Sequence, residues 1–170
     1  MKSKNLVRAA LIAAIYAAVS ILLAPISYGA VQIRVSEALT LLPILSLDAV
    51  WGVTLGCFLA NLIGMFMGAN ILGPIDVVLG TSATFLAAIC TRQLGKKSVW
   101  LAAFPPIFFN AVVVGAELAF VTGTASFSLF ALEAAWVGLG QAGACIVLGI
   151  PLVKMVSKTN VFNDLQRGDR

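Results

Sequence analysis

The sequence predicts an all-α membrane protein of six transmembrane helices, with the N- and C-termini both cytoplasmic and residues 1–170 forming a single integral-membrane domain. Three observations carry this. Hydrophobic residues make up 61% of the chain and charged ones 11%, with a mean hydropathy of +1.03, which leaves too little polar surface for a soluble globule. The apolar residues fall into runs of the length that crosses a bilayer, about 20 residues. Of the eleven Lys and Arg residues, all but Arg34 lie at the ends of those runs.

Taken in order, the first run covers 6–24. It follows Lys2, Lys4 and Arg8, is too long for a cleaved signal core and leads into Pro25 and Tyr28 without a distinct small-x-small site, so it reads as a retained span. Runs at 48–67, 75–94, 100–121 and 129–156 each suffice for a further helix. The segment 35–47 is short, and charge decides that it crosses. Lys2, Lys4 and Arg8 form one inside cluster, Arg92, Lys96 and Lys97 a second, and Lys154, Lys158, Arg167 and Arg170 a third. An even number of crossings must separate the first two clusters, so 35–47 supplies the missing one, with Pro43 as a kink. A re-entrant hairpin made from 35–67 keeps the same parity. The six-span topology puts 25–36, 68–74 and 122–127 outside.

Much is excluded by what the chain lacks. It has no His, and Cys57, Cys90 and Cys145 are odd in number, widely spaced and within apolar runs, which suggests neither a disulfide framework nor a metal site. Gly95-Lys96-Lys97 lacks the glycine and the Ser or Thr of a phosphate-binding loop. No nucleophilic serine motif is present, so no catalysis, metal or cofactor is expected. The sequence pI of about 9.2 reflects cytoplasmic flanks and carries no expectation of nucleic-acid binding. No internal repeat links the two halves, against an inverted-repeat carrier.

Small residues at spacing four mark helix contacts in lipid. Gly52, Gly56, Ala60, Gly64 and Gly68 form one ladder, read as internal packing. The first span carries two adjacent ridges, Ala9, Ala13, Ala17 and Ala10, Ala14, Ala18. That face is wider than one neighbour requires and points to a partner subunit.

The polar stretch 28–37 holds Arg34 and Glu37, three apart at the edge of a hydrocarbon region that penalises both. They either pair with each other at a helix start or meet a partner or ligand. Glu37, Asp76, Glu117 and Glu133 all fall in the outer half, with Asn61. Asp76 follows Gly73-Pro74 and also reads as a helix-start charge; Asn110 follows Pro105-Pro106 and also reads as a partner for freed backbone groups. Glu117 and Glu133 have no such local reason. Asn110 and Glu117 share a face, while Glu133, Trp136, Gly140 and Gln141 share another. Carboxylates and carboxamides facing aromatic planes suit a flat heterocycle with N–H donors, or an amine.

The run Val31-Gln32-Ile33-Arg34-Val35-Ser36-Glu37-Ala38-Leu39-Thr40-Leu41-Leu42-Pro43, with Leu59-Ala60-Asn61-Leu62, Asp76-Val77-Val78-Leu79-Gly80-Thr81, Pro105-Pro106, Phe109-Asn110-Ala111 and Val147-Leu148-Gly149-Ile150-Pro151-Leu152, resembles the QueT family, over about residues 5–157. These are substrate-binding S components of energy-coupling factor (ECF) transporters. The resemblance implies an S-component-like bundle in the cell membrane of a prokaryote. It implies capture of a queuosine precursor, a 7-deazaguanine such as queuine or its aminomethyl or cyano forms, with queuosine a further candidate. It further implies a loop after the first helix over the ligand, and an ECF module of one transmembrane coupling subunit and two ATPase subunits as partner. On this reading Glu117 and Glu133 accept from the ligand, Asn110 and Gln141 bond its remaining edge, and Trp136 stacks on it. Arg34 and Glu37 latch the lid, Asn61 and Asp76 orient the wall, and Ala13 and Ala17 face the coupling subunit. The chain departs from the family pattern at Gly140-Gln141, where a Glu is expected after the glycine. Either Glu117 or Glu133 then takes that role or the preferred substrate differs. Rival readings are an S component for a flavin- or pterin-like vitamin, a solitary proton-coupled carrier, and a structural membrane subunit.

Overall fold

A computed structural model describes residues 3–28, 33–122 and 126–159. Lys2, the loop portions 29–32 and 123–125, and the tail with Arg167 and Arg170 lie outside the described residues. The chain is all-helical: α1 (Ser3–Leu22), a short α2 (Ala24–Ser27), a 3₁₀-helix (Val35–Ile44), α3 (Leu47–Phe66), α4 (Pro74–Gly95), α5 (Val99–Val121), and a last helix that runs as α6 (Phe127–Ala142), a π-helical segment (Gly143–Gly149) and α7 (Ile150–Val156). Among the described residues five helices, counting the last as one, are long and apolar enough to cross a membrane. This is a multi-pass membrane protein.

Starts and stops follow local chemistry. Ser46, Ser98 and Ser126 each accept a hydrogen bond from a backbone N–H in the first turn of α3, α5 and α6, which supplies donors at a helix start with an acceptor. Gly73, at φ +59°, turns the chain into Pro74 as the first residue of α4, a conformation that favours glycine.

The 3₁₀-helix is the axle of the bundle. It packs against α1, α3, α4, α5, the π segment and α7, and Ser36, Glu37, Ala38, Thr40, Leu41, Leu42 and Pro43 on it are all buried. Its first turn lies beside Asn61 of α3 and Asp76 of α4. At its other end Ile44 packs against Gly95 and the Pro43 carbonyl accepts from Arg92 at 3.3 Å. The segment is bonded near both ends of α4 because a 3₁₀-helix rises about 2.0 Å per residue where an α-helix rises about 1.5 Å, and because the long side chains of Arg34 and Arg92 reach across the remaining distance. Runs this long are unusual, and burial on every side holds this one. The last helix widens where it wraps the axle: Gly149 approaches the Ala38 carbonyl and Leu41 so closely that a Cβ would lie 3.0 and 2.9 Å from them.

The small-residue ladders settle into one seam. Gly52, Gly56 and Ala60 of α3 face Ala9, Ile12, Ala13, Tyr16 and Ala17 of α1. A Cβ on Gly56 would stand 2.7 Å from Tyr16 Cβ and 3.1 Å from Ala13 Cα. Ala9, Ala13 and Ala17 are therefore buried within the bundle, which corrects the expectation that Ala13 and Ala17 face a partner. Only Ala10, Ala14 and Ala18 remain exposed. The reason is steric: the ridge that meets glycines gains the closer backbone approach. Beneath the seam, Arg8 and Asp48 pair at 2.9 Å and tie the starts of α1 and α3 together.

Gly56→Ala is expected to cost about 1–3 kcal/mol, since neither Tyr16 nor the α1 backbone can retreat. Gly143→Ala, where nothing lies within 4 Å, is expected to stay within about 0.5 kcal/mol. Unfolding of the two variants in detergent checks the contrast.

Candidate functional site

The polar residues of the sequence converge at the end of the bundle where α1 and α3 finish and α4 begins, in two clusters joined by one turn of the 3₁₀-helix. Arg34 is the extended residue that precedes the 3₁₀-helix, and its carbonyl accepts from the Glu37 N–H at 3.0 Å; residues three apart eclipse one another within the helix, so Glu37 begins a stripe along one face. Thr40 continues the stripe and caps the Glu37 carbonyl with its hydroxyl at 2.6 Å.

The first cluster is built around Arg34, which is 5% exposed. Its Nη2 reaches Asp76 Oδ2 at 3.0 Å, its Nη1 donates to Asn61 Oδ1 at 3.1 Å, and its Nε donates to the Ser27 carbonyl at 3.3 Å. The guanidinium also lies 5.0 Å from the centre of the Tyr28 ring, within cation–π range. Burial works against the Arg34 charge, yet the adjoining Asp76 carboxylate holds its pKa above the ordinary value. Burial pushes the Tyr28 phenol up to about 12, so the hydroxyl keeps its proton and donates to the Ala60 carbonyl at 2.7 Å. Asn70 Nδ2 donates to Asp76 Oδ2 at 2.8 Å, and Asn61 Nδ2 to the Asp76 carbonyl at 3.0 Å. Two glycines make room: a Cβ on Gly80 would lie 1.9 Å from Asp76 Oδ1, and one on Gly64 would lie 2.8 Å from the Tyr28 ring.

The second cluster surrounds Glu37. Its Oε1 accepts from the Tyr16 hydroxyl, its Oε2 accepts from Asn110 Nδ2 at 3.4 Å, and the Gln141 side chain bonds the same carboxylate. Arg34 and Glu37 therefore bond to partners on other helices in place of pairing with each other. A Gln at 141 supplies a donor beside Glu37, which an ionised Glu there could not.

Glu117, seven residues beyond Asn110 on α5, is 4% exposed. Neither carboxylate oxygen has a hydrogen-bond partner, and the same holds for Asp76 Oδ1 and Ser27 Oγ. An unpaired buried carboxylate is costly enough to need a donor or a proton. Glu133 is half-buried, and Trp136 is 44% exposed on α6. The structure thus gathers Arg34, Glu37, Asn61, Asp76, Asn110 and Gln141 into linked clusters with Glu117 nearby, and leaves Trp136 largely on the outer surface of the bundle.

Tyr16, Asn70, Gly64 and Gly80 belong to this site and were not expected from sequence. Tyr16 carried a signal, as the one polar aromatic in an alanine-rich span, and Asn70 another, six residues before Asp76. Gly80 is legible only once the rotamer of Asp76 is known.

Removing Arg34 leaves a fully buried Asp76 and Asn61 without their partner. Arg34→Ala is expected to cost about 3–5 kcal/mol, and Arg34→Lys to recover only part of it, because a point charge cannot reach Asp76, Asn61 and Ser27 together. A double-mutant cycle with Asp76→Asn, read by unfolding in detergent, checks this; additive effects would show that the pair is not coupled.

A family model described as "QueT transporter" matches residues 6–158. No curated protein and no solved structure matches the chain.

Proposed function

Because the chain belongs to the QueT transporter family, we propose that it is the S component of an ECF importer, which captures a 7-deazaguanine outside the cell for ATP-driven uptake. The observation that carries this is the sealed polar centre at one end of the bundle, where carboxylate oxygens of Glu117 and Asp76 lack donors. A bound heterocycle with parallel N–H groups supplies them. That end faces outward in the proposal, because Lys4, Arg8, Arg92, Lys96, Lys97, Lys154 and Lys158 collect at the other.

The 3₁₀-helix is then the sixth crossing, and its greater rise offsets part of what so short a segment lacks. Both termini are cytoplasmic, in the plasma membrane of a prokaryote. Arg34, Asp76, Asn61 and Tyr28 form the latch that fixes the chain after α1, and Glu37, Asn110 and Gln141 the floor. Glu117 and Glu133 accept from the ligand. Stacking falls to Trp136 only if its ring turns inward on binding. The coupling subunit of the ECF module, with its two ATPases, meets the exposed ridge Ala10, Ala14 and Ala18. The protein has no catalytic step of its own and needs no cofactor.

Calorimetry of the purified protein in detergent, with no ATPase present, tests this against queuine, its aminomethyl and cyano precursors, queuosine and guanine. One deazaguanine is expected to bind more tightly than guanine by about tenfold or more, or ~1.4 kcal/mol; binding of none would overturn the substrate. Glu117 also favours a second reading, a solitary proton-coupled carrier, since a buried carboxylate without partners is suited to taking up a proton. Uptake into vesicles lacking any ATPase would establish that reading and exclude the first.

A further inference from the structure

The buried ionisable groups described at the site end of the bundle are out of balance: Arg34 faces Glu37, Asp76 and Glu117. The one cation is already engaged, with all three of its nitrogens bonded to Asp76, Asn61 and Ser27. Glu37 is served by neutral donors from Tyr16, Asn110 and Gln141. The amides of Asn61, Asn70 and Asn110 donate within the clusters. Three acceptor atoms, Glu117 Oε1 and Oε2 and Asp76 Oδ1, remain without a donor. Glu117 lies within electrostatic reach of both Asp76 and Arg34, so it belongs to the same charge set. These three oxygens are short of donors, and with the carboxylates ionised the site is short of positive charge as well; a ligand that brings an N–H cation completes it.

We infer that Glu117 is a specificity-determining residue that selects a ligand bearing a protonated amine. On the proposed deazaguanine reading, on which this inference rests, the preferred form is the ring with an aminomethyl arm, over the same ring with a nitrile. The ammonium forms a charge-assisted hydrogen bond with the Glu117 carboxylate. The nitrile brings neither charge nor donor and leaves both oxygens unpaired.

The test titrates wild type and Glu117→Gln with the aminomethyl and the cyano compound by calorimetry. Wild type is expected to prefer the amine by about tenfold or more, and Glu117→Gln to weaken the amine about 10- to 100-fold while moving the nitrile less than about threefold. Equal weakening of both, or an unchanged amine, overturns the inference. The swap is close to isosteric and replaces a buried carboxyl that has no hydrogen-bond partner, so its melting temperature in detergent should not fall. Were it to misfold, equal affinity of wild type for amine and nitrile would overturn the inference alone. If wild type binds neither compound, the deazaguanine reading fails separately. The amine preference is then read by thermal shift on other aminomethyl heterocycles against their nitriles: stabilisation by the amines alone supports it, and none overturns it.

Discussion

A guanidinium sealed inside an apolar bundle requires its counter-charge at hand, and the pairing of Arg34 with Asp76 at 3.0 Å is the constraint on which the rest of this structure depends. An uncompensated buried charge costs several kcal/mol, so the two groups must arrive together from distant parts of the chain. Arg34 enters from the segment after α1, Asp76 from the first turn of α4 and Asn61 from α3. The pairing therefore fixes three elements relative to one another. Its geometry reaches further still: the Asp76 carboxylate occupies the space that a Cβ at position 80 would fill, so a small residue in the second turn of α4 follows from an ion pair made one turn earlier on the same helix.

At the opposite end, Arg8 and Asp48 do the same for the starts of α1 and α3. Between these pins, contact comes from shape, since lipid offers little hydrophobic drive for one helix to leave it for another. The glycines of α3 admit Tyr16 and the inner alanine ridge of α1, and that close seam carries the Tyr16 hydroxyl to Glu37. Packing and site are one construction here: the small residues that bring α1 in also deliver a donor to the buried carboxylate.

The helices and the polar residues were legible in sequence because lipid imposes length and penalises charge, and both leave direct marks on composition. Partnership was not. Arg34 and Glu37 stand three apart, a spacing that in an α-helix suggests a local pair; in the structure Arg34 is extended and precedes the 3₁₀-helix that carries Glu37, and each finds its partner on another helix. The two alanine ridges of α1 are equivalent in spacing, and nothing in their own sequence says which one meets the glycines. Helical phase put Trp136 beside Gly140 and Gln141, yet Gly140 and Gln141 are buried while Trp136 is 44% exposed. An arc of about 100° is wide enough to straddle the edge between interior and lipid. The 3₁₀ form itself left one trace, an apolar segment too short for a membrane-spanning α-helix.

The polar residues at this end divide into groups already satisfied and groups that are not, and the division bears on what each can do. Arg34, Asn61 and Asn70 are bonded to their neighbours, so recruiting them to a ligand would break existing bonds for new ones of similar strength, with little net gain. Gln141 belongs with them, because its donor stands beside Glu37 and relieves a carboxylate that a second acidic residue at that place would crowd. Gln141 thus serves an internal balance at Glu37. Glu117 has no such engagement and loses nothing by turning to a guest. Affinity comes from interactions that the empty protein lacks, and on the proposed reading Glu117 has more to contribute than the arginine to which the sequence first draws attention.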